Sequence, residues 1–290
     1  MSRRPSHPAR LLASALAAGA LLTTAACADG GESSGAASDT AAEEAARAAA
    51  QQAPTTSPSG SPTGSTSPSG SSSPAALTES GAKAALITEA DVEDDWNQVS
   101  DADKWHDQLL AGKVDVAGFL DAKTDADDCQ KLLDGLYSDG LLGKPSGASA
   151  LTGFEQGDSR LMEQVAAYDH AQLDDSMKWL AALPQTCDEF TATDSSGGKR
   201  TVQVIETSVP DVGDARQGLE VTVQGTADGA PTTLTLDVAV VRVGDDAVTV
   251  TGGGPDGGAS DSVQRGAQQG TARLKTVLAG GTPSPPSQFD

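Results

Sequence analysis

The sequence predicts an α+β fold: an antiparallel sheet with helices packed on it, in a single disulfide-stapled domain that follows a disordered tether. Three observations predict it. Between Arg200 and Thr251 the chain runs in Val-, Leu- and Thr-rich segments that alternate apolar and polar, separated by Asp-Gly and Gly-Asp-Asp turns. Elsewhere apolar residues recur at helical spacing, at Leu173, Met177, Leu180 and Leu183 and again at Val263, Ala267, Leu274 and Leu278. Beyond Cys27 the chain has two cysteines, Cys129 and Cys187, which are expected to pair.

The chain opens with Arg3, Arg4 and Arg10, with no acidic residue among them, followed by an apolar run from Leu11 to Ala26. As a helix that run would be about 24 Å long, short of the roughly 30 Å hydrocarbon core. Residues 1–26 therefore read as a secretory signal and not as a spanning helix. The run ends at Ala25, Ala26 and Cys27, which resembles the lipobox of bacterial lipoproteins; Thr24 stands where that motif usually carries Leu. The resemblance implies a diacylglycerol on the Cys27 sulfur and cleavage just before it. The alternative is ordinary cleavage at the A-x-A pattern Ala26-Cys27-Ala28, releasing a soluble secreted protein.

Residues 27–76 read as a lipid-anchored, disordered Ser/Pro/Gly-rich linker, within which Ala41–Gln52 has the composition of a transient helix. No aromatic residue occurs between Cys27 and Trp96, so this stretch cannot bury enough surface to offset its ordering entropy. As a flexible chain it has a mean reach on the order of 40 Å. Its Ser, Thr and Pro content also suits O-glycosylation.

A domain of roughly 200 residues, 77–280, is expected next. Thr88 and Asp91 are spaced as a helix cap and its partner, predicting a short helix that ends near Trp96, with Trp96 and Trp105 as buried anchors. Residues 97–120 show no clear periodicity. Thr124-Asp-Ala-Asp127 signals a helix reaching about Ser138, with Cys129, Leu132, Leu133 and Leu136 on one face. A hairpin follows, from Ala148 to Glu155 and from Ser159 to Tyr168, turning at Gln156-Gly157-Asp158. The helix over 170–184 is expected to stop at Pro184, just before Cys187. Strands are predicted over 200–208, 218–226, 232–243 and 247–251, with hairpin turns at Asp228-Gly229 and Gly244-Asp245-Asp246. Gly252–Gly258 reads as a loop. A last helix, capped by Ser260, runs from Asp261 to Leu278; Arg273 and Lys275 suit its negative end, and Gly280-Gly281 stops it. Residues 281–290 form a proline-rich flexible tail.

Charge narrows the function. The chain carries 19 basic and 41 acidic side chains. Removing residues 1–26 takes three arginines and leaves 16 against 41, a net charge of −25. Such a surface repels nucleic acid and anionic lipid heads, so contact with a membrane is expected through the N-terminal lipid only. The 58-residue separation of Cys129 and Cys187 implies that their bridge removes about 4 kcal/mol of chain entropy from the unfolded state. No C-x-x-C is present, which favours a structural disulfide over redox catalysis.

The H-E-x-x-H signature of zinc proteases is absent from the chain. His106, in Lys104-Trp-His-Asp107, is a candidate base beside a carboxylate, although a surface histidine is the plainer reading. His170 opens a predicted helix, a poor place for a cation. Acidic clusters at Asp91–Asp95, Asp101–Asp107 and Asp121–Asp128 lack the D-x-D-x-D-G run of a calcium loop and read as helix starts and solvated faces. Gly252–Gly258 lacks a following Lys-Ser/Thr, so it is not a phosphate cradle. No metal, cofactor or catalytic residue is assigned, and the ligand-binding residues are not legible.

Four segments resemble a known family: Leu86-Ile-Thr-Glu-Ala-Asp91, Cys129-Gln-Lys-Leu-Leu133, Cys187-Asp-Glu-Phe190, and Asp237 to Val250. They are similar to actinobacterial lipoproteins whose domain is related to the extracellular sensor domain of the serine/threonine kinase PknH. The resemblance implies an extracytoplasmic, non-catalytic sensor-like α+β domain with a cleft for an unknown ligand or envelope partner. With no kinase part in the chain, signalling would have to pass through a partner. A cell-envelope hydrolase using His106, or a structural envelope spacer, are the alternatives.

Overall fold

Alternating apolar residues and tight turns build one antiparallel sheet, which forms the framework of the chain. The computed structural model describes residues 76–92 and 95–284. Cys27, the leader and the linker up to residue 75 lie outside the described residues, as do residues 285–290 of the expected tail. The elements in chain order are α1 (Glu79–Ala85), β1 (Asn97–Val99), a 3₁₀ turn (Ala102–Lys104), β2 (Leu110–Ala111), β3 (Val114–Asp115), α2 (Val116–Leu120), β4 (Ala122–Lys123), α3 (Asp127–Gly135), β5 (Ser149–Gln156), β6 (Ser159–Ala167), α4 (His170–Thr186), β7 (Glu189–Asp194), β8 (Lys199–Thr207), β9 (Ala215–Ala227), β10 (Ala230–Val243), β11 (Asp246–Gly254), β12 (Gly257–Gly258) and α5 (Ser260–Leu278).

The main sheet runs β1-β5-β6-β11-β10-β9-β8-β7-β4, with β12 paired to β11, and β2-β3 forms a separate hairpin. Every pairing is antiparallel. Asp228 and Gly229 both take positive φ between the paired Ala227 and Ala230, as a two-residue hairpin turn requires.

Side-chain alternation splits the interior into two layers. Leu219, Val221, Val223, Leu234, Leu236, Val238 and Val240 face α3 and α4. Val165, Ala239, Val241, Val248 and Val250 face α1 and α5. β11 is buried along its whole length because helices cover both of its faces. Leu173, Leu180 and Leu183 of α4 are solvent-free, each contributing about 1.5–3 kcal/mol of burial. The Cys129–Cys187 disulfide, with 5.6 Å between Cα atoms, joins α3 to the end of α4. Trp96 and Trp105 are buried as expected.

Local expectations differ from the structure at several places. No helix follows Thr88: Asp91 accepts from the Thr88 amide and hydroxyl, both at 2.8 Å, closing a turn, and the helix lies before it as α1. Thr124 does not cap α3; its amide donates to Gln130 Oε1, and the helix stops at Gly135, short of Ser138. α4 passes through Pro184 to Thr186. The proline forfeits only the bond to the Leu180 carbonyl, and the Cys187 amide still donates to Leu183. Ser260 lies inside α5 and does not cap it; the Asp237 carboxylate of β10 instead accepts from the Ala259 backbone. Gly280 and Gly281 donate to Val277 and Thr276, which ends α5 as expected. Gly252–Gly254 are strand, and Gly257–Gly258 pair back onto them. A Cβ on Gly253 (φ +136°) would lie 2.1 Å from the Thr235 carbonyl oxygen, so only glycine fits that close approach.

Candidate functional site

α2 and α3 stand apart over the Trp105–Leu109 segment, and a cleft of about 490 Å³ opens between them. α2 is short and is fixed at both ends. Asp115 Oδ1 accepts from the Gly118 amide at 3.0 Å, capping the first turn, while Val116, Phe119 and Leu120 are buried beneath it. α3 is held by the disulfide and by Leu132 and Leu133.

The floor is aromatic. Trp105 meets Tyr137 edge to face, with ring centroids 5.8 Å apart. Behind Trp105 the sheet carries Gly153, where a Cβ would stand 2.8 Å from the indole ring. Tyr137 follows α3 with φ +52°. That turn aims its hydroxyl at the Arg160 and Gly253 carbonyls, each 3.0 Å away. Burial pushes the phenol far above its ordinary pKa, so Tyr137 serves as a neutral donor.

The rim is charged and mostly acidic. Asp107, Asp115, Asp121 and Asp134 line it beside one lysine and one histidine. Lys123 Nζ lies 3.3 Å from Asp134 Oδ1 and 3.8 Å from Asp121 Oδ1. His106 Nε2 lies 3.0 Å from Asp107 Oδ1, both side chains being more than half exposed. No serine, threonine or cysteine lines the cleft, so it offers no aliphatic hydroxyl or thiol nucleophile.

The remaining sequence candidates lie elsewhere. His170 belongs to a surface ion network: its Nδ1 is 2.6 Å from Asp245 Oδ1, and Arg242 pairs with Asp174 beside it. The hydrogen bond from Arg242 holds the Asp174 carboxyl below its ordinary pKa. The acidic clusters do not converge: among the described residues no three His, Cys, Asp or Glu side chains come together to hold a metal ion. Sequence reading singled out His106 and its carboxylate neighbour but missed Trp105 and Tyr137 as a joint floor. The positive-φ residue after α3 leaves no mark in the periodicity.

Buried polar groups occur on the other face of the sheet. Glu163 is solvent-free; its Oε2 accepts from the Ile87 amide at 2.7 Å and its Oε1 has no partner. Burial pushes its carboxyl up to about 8, against the opposing pull of that hydrogen bond and of Arg273.

No protein-family model matches the chain. No curated protein matches it either. Among solved structures the chain is similar to one titled "Crystal structure of the extracellular domain of PknH from Mycobacterium tuberculosis". The identity is 11%, the match covers 70% of this chain and 97% of that one, and the TM-score is 0.38. No residue correspondence follows from a likeness of this size.

Proposed function

We propose that this protein is a membrane-anchored lipoprotein on the outer face of the cell membrane, with a domain that binds a small ligand or an envelope partner without catalysis. In this reading residues 1–26 are removed, Cys27 carries the lipid, residues 27–76 are the leash, residues 77–280 are the binding domain and residues 281–290 are a free tail. The cleft between α2 and α3 carries the binding claim. Its volume lies within the range of small-molecule sites, and its aromatic floor and acidic rim suit a neutral or cationic ligand.

Two measurements test it. Mass spectrometry of the processed N-terminus should find an acylated Cys27; an unmodified amino end at Asp29 would overturn the anchor. The purified protein, incubated with cell-wall and lipid extracts, should retain a small molecule that Asp121→Asn/Asp134→Asn loses. Retention of nothing across broad extracts would overturn the binding claim.

The contact between His106 and Asp107 on the cleft favours a second reading, an envelope hydrolase that activates water. It predicts an activity on envelope polymers that disappears in His106→Ala. Unchanged turnover in that variant excludes it.

A further inference from the structure

α2 has a second hollow on its other side. A cleft of about 660 Å³ lies between the β2–β3 hairpin, α2, the β7–β8 turn and the β9–β10 turn. Its lining is more basic than the first cleft's, with as many bases as acids. Lys113, Lys199 and Arg200 line it, in a chain where acids outnumber bases by about two to one.

Arg200 is built in. It is 6% exposed, lies with its guanidinium 4.4 Å from the Phe119 ring centroid, and pairs with Asp194 Oδ2 at 2.8 Å. Gly225 makes room for it: a Cβ there would lie 2.5 Å from Arg200 Cδ. Its Nε has no hydrogen-bond acceptor, an unusual state for a buried guanidinium.

The acids along this cleft are largely committed. Asp194 Oδ1 accepts from the Ser196 amide and hydroxyl and the Gly198 amide, while Oδ2 takes Arg200. Those bonds, with Ser196 first, hold the Asp194 carboxyl below its ordinary pKa. Asp115 Oδ1 is used to cap α2. Asp228, on the β9–β10 turn, is the remaining acid. Lys113 and Lys199 have no carboxylate within salt-bridge distance among the described residues. The two lysine ammoniums are therefore the unpaired cations of this cleft. The same wall carries Leu110, the most exposed large apolar side chain among the described residues at 62%.

We infer that this second cleft binds a soluble anionic amphiphile, with its phosphate or carboxylate head between Lys113 and Lys199 over Arg200 and its short apolar tail against Leu110. The two exposed ammoniums supply the charge, the buried Arg200 guanidinium adds to the positive potential of the wall behind them, and Leu110 gains cover. This site opens on the other side of α2 from the α2–α3 cleft, with which it shares only Asp115 and Gly118.

The test uses the full chain carrying Cys27→Ser, so that attached lipid cannot compete, with monomeric octyl phosphate, inorganic phosphate and phosphatidylglycerol vesicles as probes. Amide NMR shifts at Lys113, Gly198 and Gly229 should move with octyl phosphate while those of His106 and Asp134 stay. Its Kd should rise about tenfold in Lys113→Gln/Lys199→Gln, the loss of two exposed charge contacts, and should also rise in Leu110→Ser. Both variants alter surface side chains, and an unchanged melting temperature checks their folding. Absence of binding, or equal affinity in the lysine variant, overturns the site. Equal affinity for inorganic and octyl phosphate overturns the amphiphile. Capture by vesicles alone overturns the soluble ligand.

Discussion

Arg273 Nη1 lies 3.2 Å from Asp91 Oδ2, with the arginine side chain 12% and the aspartate 1% exposed. Arg273 was expected to complement the negative end of α5; it turns inward instead and also donates to the Ala84 carbonyl at 3.2 Å. Two residues 182 positions apart therefore fasten α5 to the segment where the domain begins. Removing one partner leaves a buried charge uncompensated. Asp91→Ala or Arg273→Ala should each cost about 3–5 kcal/mol, read as a lower urea midpoint with an unchanged slope. A loss below 1 kcal/mol would show that the pair is solvated in solution.

Glu163 predicts a pH dependence. Its folded carboxyl is raised to about 8, above an ordinary value of 4.5, so the folded state keeps a proton that the unfolded chain gives up. Its contribution to stability is fully present below about 4.5 and is lost as pH rises through about 8. Glu163→Gln keeps the neutral shape and should flatten this slope, a gain of a few kcal/mol at pH 8 relative to the parent. Denaturation midpoints at pH 5 and pH 8 check it; parallel slopes in the two proteins would sink the assignment.

The disulfide should act on the unfolded chain. Cys129→Ala/Cys187→Ala closes no 58-residue loop and should lose about 4 kcal/mol. Thermal melts in oxidised and reduced buffer should differ for the parent and coincide for the variant.

Tyr137→Phe removes the one hydroxyl shared by the Arg160 and Gly253 carbonyls. It should cost about 1–3 kcal/mol and loosen the cleft floor. Hydrogen exchange at β6 and β11 should quicken, and if it does not, those carbonyls have found another donor.

Much of the sheet is legible in the sequence because β8 and β9 bury alternate residues and β10 and β11 are rich in Val, Leu and Thr, signals visible without neighbours. β7 was not read as a strand: of Glu189–Asp194 only Ala192 is fully buried, and its partner strand begins five residues after it ends. Helix ends were the weakest part. Thr124 and Ser260 look like caps, yet the Thr124 amide is taken by Gln130, and α5 is served by Asp237 from a distant strand. Such partners are fixed by tertiary structure, which local spacing does not encode. For the same reason His106 could be named from sequence while the cleft it lines could not. That cleft depends on a left-handed Tyr137 and on a glycine at 153 that lets the Trp105 ring approach β5 closely.

The long sheet tapers at both margins, to the three residues of β1 on one side and the two of β4 on the other. Stubs this short give an incoming chain few free amides and carbonyls to extend. Copies at high concentration thus have little margin along which to pair edge to edge, even though the middle of the sheet is made of the Val-, Leu- and Thr-rich sequence that favours such pairing.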